Sequence, residues 1–535
     1  MVRGQPHLGT APIALYFGPG VGTLSIIAEA LPLGKIRRDG AAPAMHTAHM
    51  ESVNLTLPQR GDADLLLRYD VAGPRYTSYP TAPQFRPDFG EAHYREHARR
   101  SNATFAPRPL SLYVHVPFCA SPCFYCGCNR IITRDAAAGG RYVDRLIREI
   151  SMAAPLFDYR REVRQLHLGG GTPNFLLQAD LAWLVEAFLK HFRFGSGADL
   201  DFSIELDPRF VTAADVQSLG RLGFNRASLG VQDFDPEVQQ AVNRLQSVEQ
   251  TLGIIEACRM AGLRSINVDL IYGLPHQSPE GFARTLDTII AAAPDRLAVY
   301  GYAHMPRLFK AHRHIDAQAL PGPVARVALL ELAIDRLGAA GYRYIGMDHF
   351  ARPEDELARA QAAGALHRNF MGYTTHAGCD LIGFGMSAIS HFGDSFSQNH
   401  RDLSVWEAAL DSGRLPVWRG LALTADDLVR ADVIQRLMCD GAVDFAEIER
   451  LHGIRFESYF AEALARCGPL VADGLVSLAG RQLRATDRGR FLLRIVAMCF
   501  DRYLTPRGPP VVANEGMGPP KDADAAPEAR FSKVV

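Results

Sequence analysis

From about residue 108 onward one alternation recurs: a short β-branched or apolar run ends in Gly, Pro or polar residues, and a helix-length stretch follows. Repeated strand-then-helix order is the pattern of a parallel α/β architecture. The strand candidates are "SLYVHV" (111–116), "VRQLHLGGG" (163–171), "DFSIELD" (201–207), "RASLGVQ" (226–232), "SINVDLIYG" (265–273) and "RLAVYGYAH" (296–304). Six such units predict an α/β fold based on an incomplete (β/α)6 TIM-like barrel rather than an open sheet. Between them lie helical spacings, Leu181, Leu184, Val185, Phe188 and Leu189, then Ile254, Ile255 and Cys258, read as core-facing stripes.

The barrel is assigned to residues 105–350, preceded by an N-terminal arm at 51–104. After "GYRYIGMDHFARP" (341–353), segments such as "LTADDLVRADVIQRLM" and "VDFAEIERLHGI" are helical with few strand signals, so 351–506 is expected to be a mostly helical domain. The stretch 505–530 is rich in Pro, Gly, Ala and charge, a composition that cannot offset its ordering entropy by burial. Residues 507–535 are therefore expected to be a disordered insert and tail. Residues 11–36 have apolar patches but are broken by Gly18-Pro19-Gly20 and preceded only by Arg3, a poor match to a signal peptide. Residues 1–50 are read as a disordered upstream extension, with Met45 and Met50 as alternative starts.

Charge narrows the function. Lys and Arg number 57 against 58 for Asp and Glu, with no basic block, so a nucleic-acid or anionic-membrane surface has nothing to rest on. No apolar run reaches the roughly 20 residues of a spanning helix. A cytoplasmic protein without nucleic-acid or membrane partners is expected.

"HVPFCASPCFYCGCNR" (115–130) gathers Cys119, Cys123, Cys126 and Cys128, four of the nine cysteines, behind the first strand. A disulfide framework belongs to oxidising compartments and small chains without a core. Structural zinc usually takes two cysteine pairs or added histidines. The remaining cysteines, Cys258, Cys379, Cys439, Cys467 and Cys499, are isolated and read as small core hydrophobes or inert thiols. An iron–sulfur cluster is the leading reading, and a zinc scaffold stays as the fallback.

The spacing Cys119-x3-Cys123-x2-Cys126, with the aromatic Tyr125, resembles the signature of the radical S-adenosylmethionine superfamily. The resemblance implies a [4Fe–4S] cluster on Cys119, Cys123 and Cys126, whose fourth iron is open to the amino and carboxylate groups of S-adenosylmethionine. The reduced cluster then cleaves that cofactor to methionine and a 5′-deoxyadenosyl radical. Ligands of such barrels sit at the C-terminal ends of strands. Those ends offer the cysteine loop, "GGGTP" (169–173), Glu205, Gln232, Asp269 and Ala303. "GGGTP" is not a phosphate loop, because it lacks the Gly-Lys-Ser/Thr ending.

Over residues 65–504 and the final "FSKVV", the chain resembles the oxygen-independent coproporphyrinogen III oxidase family. "GPRYTSYPTA", "CGCN", "LHLGGGTPNFL", "IELDPR", "LGVQDFDPEVQQAVNR", "NVDLIYGLP", "LHRNFMGYTTH" and "MCFDRYL" carry the match. The family's reaction is an oxidoreduction of haem synthesis: two propionates of coproporphyrinogen III become vinyl groups, with loss of carbon dioxide, giving protoporphyrinogen IX. A propionate β-carbon has no acidic hydrogen for a base to remove, so acid–base catalysis alone would not serve.

The resemblance assigns Tyr113, Gly170 and Glu205 to a first S-adenosylmethionine. It assigns Tyr125, Gly171, Thr172, Gln232, Arg244 and Asp269 to a second, with Ala303 and Ile389 as further contacts. Tyr113 and Cys128 are the candidate catalytic residues. A flavodoxin- or ferredoxin-type electron donor and a monomeric enzyme are implied. Three features depart from the family pattern: the N-terminal extension, the Pro-rich insert, and Tyr125 in place of phenylalanine. Arg75, Arg209 and Arg352 are candidates for the substrate carboxylates. A haem chaperone of the same superfamily is the nearest alternative, disfavoured by Cys128 and the "GPRYTSYPTA" arm; a radical methyltransferase acting on tetrapyrroles is more distant.

Overall fold

The computed structural model describes residues 65, 68–197, 200–504 and 531–533. The expectations for residues 1–50 and 505–530 lie outside the described residues. Six parallel strands, β1 (Leu110–Val116), β2 (Glu162–Gly170), β3 (Asp201–Leu206), β4 (Arg226–Gln232), β5 (Ser265–Tyr272) and β6 (Arg296–Gly301), pair in chain order. Their crossovers run through helices Ala137–Ala153, Gln178–His191, Ala213–Arg221, Val248–Met260 and Pro279–Ala292. Each strand lies within a few residues of its sequence expectation.

Each strand is apolar on one face and polar on the other, as a period of two allows. Leu112, Val114, Leu166, Leu168, Ile204, Leu229, Val268 and Leu270 are buried and join the main core. The opposite face carries Tyr113, His115, His167, Glu205, Ser228, Asn267 and Asp269, which hydrogen-bond or stack on one another inside the barrel. In the crossover helix Gln178–His191 one expected core position fails: Leu189 is 52% exposed, whereas Leu181, Leu184, Val185 and Phe188 are buried.

The sheet does not stop at six strands. Beyond β6 it continues antiparallel through β8 (His349–Ala351) and β7 (Arg343–Gly346). Beyond β1 it gains β9 (Asp380–Phe384) in parallel, then β10 (Ile389–Phe392), β11 (Ser395–Asn399) and β12 (Val417–Ala422) antiparallel. The resulting order, β7-β8-β6-β5-β4-β3-β2-β1-β9-β10-β11-β12, leaves the barrel open. The expectation that 351–506 is mostly helical is thus corrected for 380–422. The strands there lack β-branched alternation and bury polar side chains such as Ser390, Ser397, Gln398 and Asn399. Hydrogen bonds keep that burial affordable: Asn399 Nδ2 donates to Glu149 Oε1 (2.7 Å), and Gly383 N to Ser390 Oγ (2.9 Å).

After the short helices Glu356–Ala362 and Leu403–Asp411, the helix Ala425–Asp440 is opened by a capping box between Thr424 and Asp427. With a three-stranded sheet (Ala442–Asp444, Val476–Ala479, Gln482–Ala485), it forms a second core around Val433, Phe456, Phe460 and Phe500. Tyr69, Tyr76 and Tyr79 of the N-terminal arm belong to that core, and Tyr76 donates to Asp501 Oδ2 at 3.0 Å. Residues 531–533, expected to be disordered, pair with the arm through an Ala72–Lys533 bridge.

Candidate active site

The cysteine loop leaves β1 at the C-terminal mouth of the barrel. A two-residue parallel ladder between Phe118–Cys119 and Ile131–Ile132 closes its base. Arg130 ties the interior, donating to the carbonyls of Cys123 (2.9 Å) and Cys126 (2.7 Å). Each of the first three sulfurs meets a donor. Thr172 Oγ1 lies 3.3 Å from Cys119 Sγ, Arg209 and Arg244 Nη atoms each 3.5 Å from Cys123 Sγ, and Cys128 N 3.4 Å from Cys126 Sγ. Hydrogen bonding from Cys128 holds Cys126 at about 6, while burial pushes Cys119 up to about 11 against the Thr172 contact. Cys128 is exposed. Among the described residues no three His, Cys, Asp or Glu are spaced for a single metal ion. Three cysteine sulfurs on one short loop are a donor set that an iron–sulfur cluster can use.

Beside the loop, "GGGTP" runs along β1: Gly171 N donates to Val116 O (2.7 Å) and Thr172 N to Phe118 O (2.9 Å). Gly170 N donates to Glu205 Oε2 at 3.0 Å, and His167 Nε2 to Glu205 Oε1 at 3.4 Å. Burial raises the Glu205 pKa, but the His167 and Gly170 contacts outweigh it and hold the carboxyl below its ordinary range. His115 links strand to loop. Its Nε2 donates to the Asn129 carbonyl (2.8 Å), so its Nδ1 accepts from the Tyr113 hydroxyl (3.1 Å). Burial lowers the His115 pKa, consistent with that neutral tautomer.

Across the mouth, Asp207 Oδ2 accepts from Arg209 (2.7 Å) and Arg244 (3.1 Å), and Arg244 also donates to Gly230 O (2.6 Å). Gln232 adopts φ 67°. Its Oε1 and the Nε of Arg244 are buried without a partner. Two orphaned polar atoms at one rim fit a site built for a polar ligand.

Asp269 accepts from Asn267 Nδ2 (2.8 Å) and Ser228 Oγ (3.1 Å), yet burial and the Glu205 charge push it up to about 6. A raised carboxyl pKa contributes stability fully below the unfolded value, near 4, and loses it as pH rises through the folded value. Between about pH 4 and 6 the cofactor-free protein is expected to lose stability, by roughly 2–3 kcal/mol at most, a loss absent from Asp269→Asn and read as a falling thermal midpoint. Identical slopes for the two proteins in differential scanning fluorimetry would refute it.

Tyr125 and Gly127, from the cysteine loop, line a cavity of about 450 Å³ together with Tyr300 and Ala303 from the end of β6. A neighbouring cavity of about 400 Å³ shares Arg75, Ala303 and Ser532. Ile389 abuts Gly383, the register neighbour of Tyr113. Of the three arginines considered for carboxylates, Arg75 lines both cavities and pairs with Asp348. Arg209 is engaged by Asp207, and Arg352 stacks on Tyr342, at 5.9 Å.

Sequence reasoning missed the His115–Asn129 tether, the His167 clamp and Asp207. His115 and His167 carried a signal: each lies an even number of residues from another inward polar position on its strand. Tyr142, whose hydroxyl donates to His115 O (2.8 Å) and accepts from Met386 N (2.9 Å), carried none.

The Radical SAM superfamily model matches residues 113–289, and the HemN C-terminal domain model residues 423–492. The oxygen-independent coproporphyrinogen III oxidase of Pseudomonas aeruginosa is 50% identical over 445 residues, spanning 83% of this chain and 96% of its own. The Escherichia coli protein of the same name is 47% identical over 443 residues, spanning 83% and 95%. A solved structure, described as "Coproporphyrinogen III oxidase (HemN) from Escherichia coli is a Radical SAM enzyme", superposes with a TM-score of 0.77 at 47% identity, covering 80% of this chain and 98% of that one.

Proposed function

The chain belongs to the oxygen-independent coproporphyrinogen III oxidase family, and from that premise we propose that it converts two propionates of coproporphyrinogen III to vinyl groups in haem biosynthesis, giving protoporphyrinogen IX. The carrying observation is continuity: the cysteine loop forms part of the wall of a cavity whose neighbouring lobe is cationic. That lobe is lined by Arg75, Arg326, Arg494 and Lys533, with Arg75 paired to Asp348 and Lys533 to Asp70. Such a field draws in a polyanionic, carboxylate-bearing tetrapyrrole.

Radical SAM enzymes use a [4Fe–4S] cluster and S-adenosylmethionine. When bound, the reduced cluster supplies the electron that splits the sulfonium of S-adenosylmethionine into methionine and a 5′-deoxyadenosyl radical. Cys119, Cys123 and Cys126 are assigned to the cluster; the donors on their sulfurs support this. Glu205, kept ionised by His167 and Gly170, is suited to accept from the amino group of a first S-adenosylmethionine, with Tyr113 beside it. Gly171, Thr172, Gln232, Arg244, Asp269 and Tyr125 are assigned to a second, supported by the orphaned atoms of Gln232 and Arg244. Ala303 and Ile389 complete the contacts. Phe309, Phe370 and Phe531 give the cavity an apolar wall that excludes water from the reacting carbon. Tyr113 and Cys128 are assigned catalytic roles.

The electron donor is proposed to be of flavodoxin or ferredoxin type, and the enzyme monomeric and cytoplasmic. Among the described residues no helix is long and apolar enough to cross a membrane. Anaerobically reconstituted, reduced protein incubated with S-adenosylmethionine and coproporphyrinogen III is expected to yield protoporphyrinogen IX and 5′-deoxyadenosine. Stable haem binding without turnover would instead identify a chaperone.

A further inference from the structure

We propose that residues 531–533 form a wall of the tetrapyrrole cavity and that Arg494 is the positioning residue that holds this wall in place. The inference rests on the cavity being the substrate site. Phe531 and Ser532 line both cavity lobes, and Lys533 lines the cationic one. The segment lies on the N-terminal arm through the Ala72–Lys533 bridge and a hydrogen bond from Gly73 N to Ser532 O (3.0 Å). Lys533 Nζ adds a contact to Asp70 at 2.9 Å.

Arg494 joins the two. Its Nε donates to Pro74 O (3.1 Å), Nη1 to Lys533 O (2.8 Å), and Nη2 to Ser532 O (3.1 Å) and Gly73 O. The side chain is 3% exposed, and its hydrogen-bond partners are neutral carbonyls and the Ser532 hydroxyl. A buried cation with no carboxylate partner is costly. Burial and the neighbouring Arg75 pull its pKa down to about 10. What the arrangement achieves is geometric, because the rigid guanidinium fork gathers two strands of main chain that both face the cavity. A lysine keeps the charge but not the fork.

Two variants test this, a chain ending at residue 530 and Arg494→Lys, each first checked for iron content and cluster absorption against the full chain. Both are expected to keep the cluster and to raise KM for coproporphyrinogen III at least about tenfold, with a smaller change in kcat. Direct titration with coproporphyrinogen III should show the same loss of affinity. Wild-type affinity in the truncated chain would overturn the wall; wild-type affinity in Arg494→Lys would overturn the clasp. If Arg494→Lys loses its iron, the truncated chain alone decides. Absence of coproporphyrinogen binding in the full chain would instead count against the functional reading beneath it.

Discussion

Serine at Cys123 is expected to give protein that, after anaerobic reconstitution, lacks a stable cluster and the bound iron, about four per chain, that one would supply. Turnover of coproporphyrinogen III should fall below detection, a loss of at least about a thousandfold, because a [4Fe–4S] cluster needs thiolate ligands. The geometry makes Cys123 the sharpest of the three positions. Two guanidinium groups, from Arg209 and Arg244, approach its sulfur at 3.5 Å and are themselves held by Asp207. Those cations face the position where a cluster-bound sulfur would carry negative charge, and a serine offers no thiolate to an iron there.

Cys128→Ser is the matched comparison. Cys128 meets Cys126 through its backbone N–H, 3.4 Å from Cys126 Sγ, a contact that survives a side-chain change, and through its thiol, in whose place a serine hydroxyl still donates. Cluster absorption and iron should therefore persist, while decarboxylation is impaired. Loss of iron from Cys128→Ser would show that the three-to-one division of these cysteines is wrong.

What could be read in advance follows from how locally each feature is written. The six barrel strands announce themselves, because buried parallel strands need apolar side chains on the helix-packed face. "SINVDLIYG" displays both faces in one line, with Asn267 and Asp269 inward and Val268 and Leu270 outward. Glu205 and Gln232 are legible for the same reason, being polar near strand ends, and Asp269 as an inward polar position within its strand. Strands β10 and β11 are not legible. Their stability comes from partners distant in the chain, such as Glu149 with Asn399, and not from their own apolar pattern. The clasp of Arg494 on Gly73 and Ser532 is equally hidden, since it joins segments separated by 421 and 38 positions. A composition that argues against order in 505–530 also misjudged residues 531–533, whose order comes from Arg494 and the arm.

The glycine triplet allows a sharper dissection. Gly170 has φ +112°, a conformation L side chains rarely adopt, and an alanine Cβ there would lie 2.5 Å from the His115 ring. The ring cannot swing aside freely, because the Tyr113 hydroxyl holds one nitrogen and the Asn129 carbonyl the other. Gly170→Ala is therefore expected to disturb both ends at once: Glu205 loses its backbone donor's position, and the cysteine loop loses its tether. Backbone strain of about 1–3 kcal/mol and a comparable clash leave a folded but less stable protein. Activity should drop at least about a hundredfold, the scale of a misplacement near 1 Å, and reconstituted iron should become labile. At Gly169 the added Cβ would meet Glu205 Oε1 at 2.8 Å and His167 Nε2 at 3.0 Å, with no His115 atom among its nearest contacts. Gly169→Ala should accordingly weaken S-adenosylmethionine binding while leaving iron content and cluster stability intact. The two alanines, one residue apart, separate the cofactor clamp from the loop tether. If both variants lose S-adenosylmethionine affinity and iron to the same degree, His115 does not transmit order from β1 to the cysteine loop.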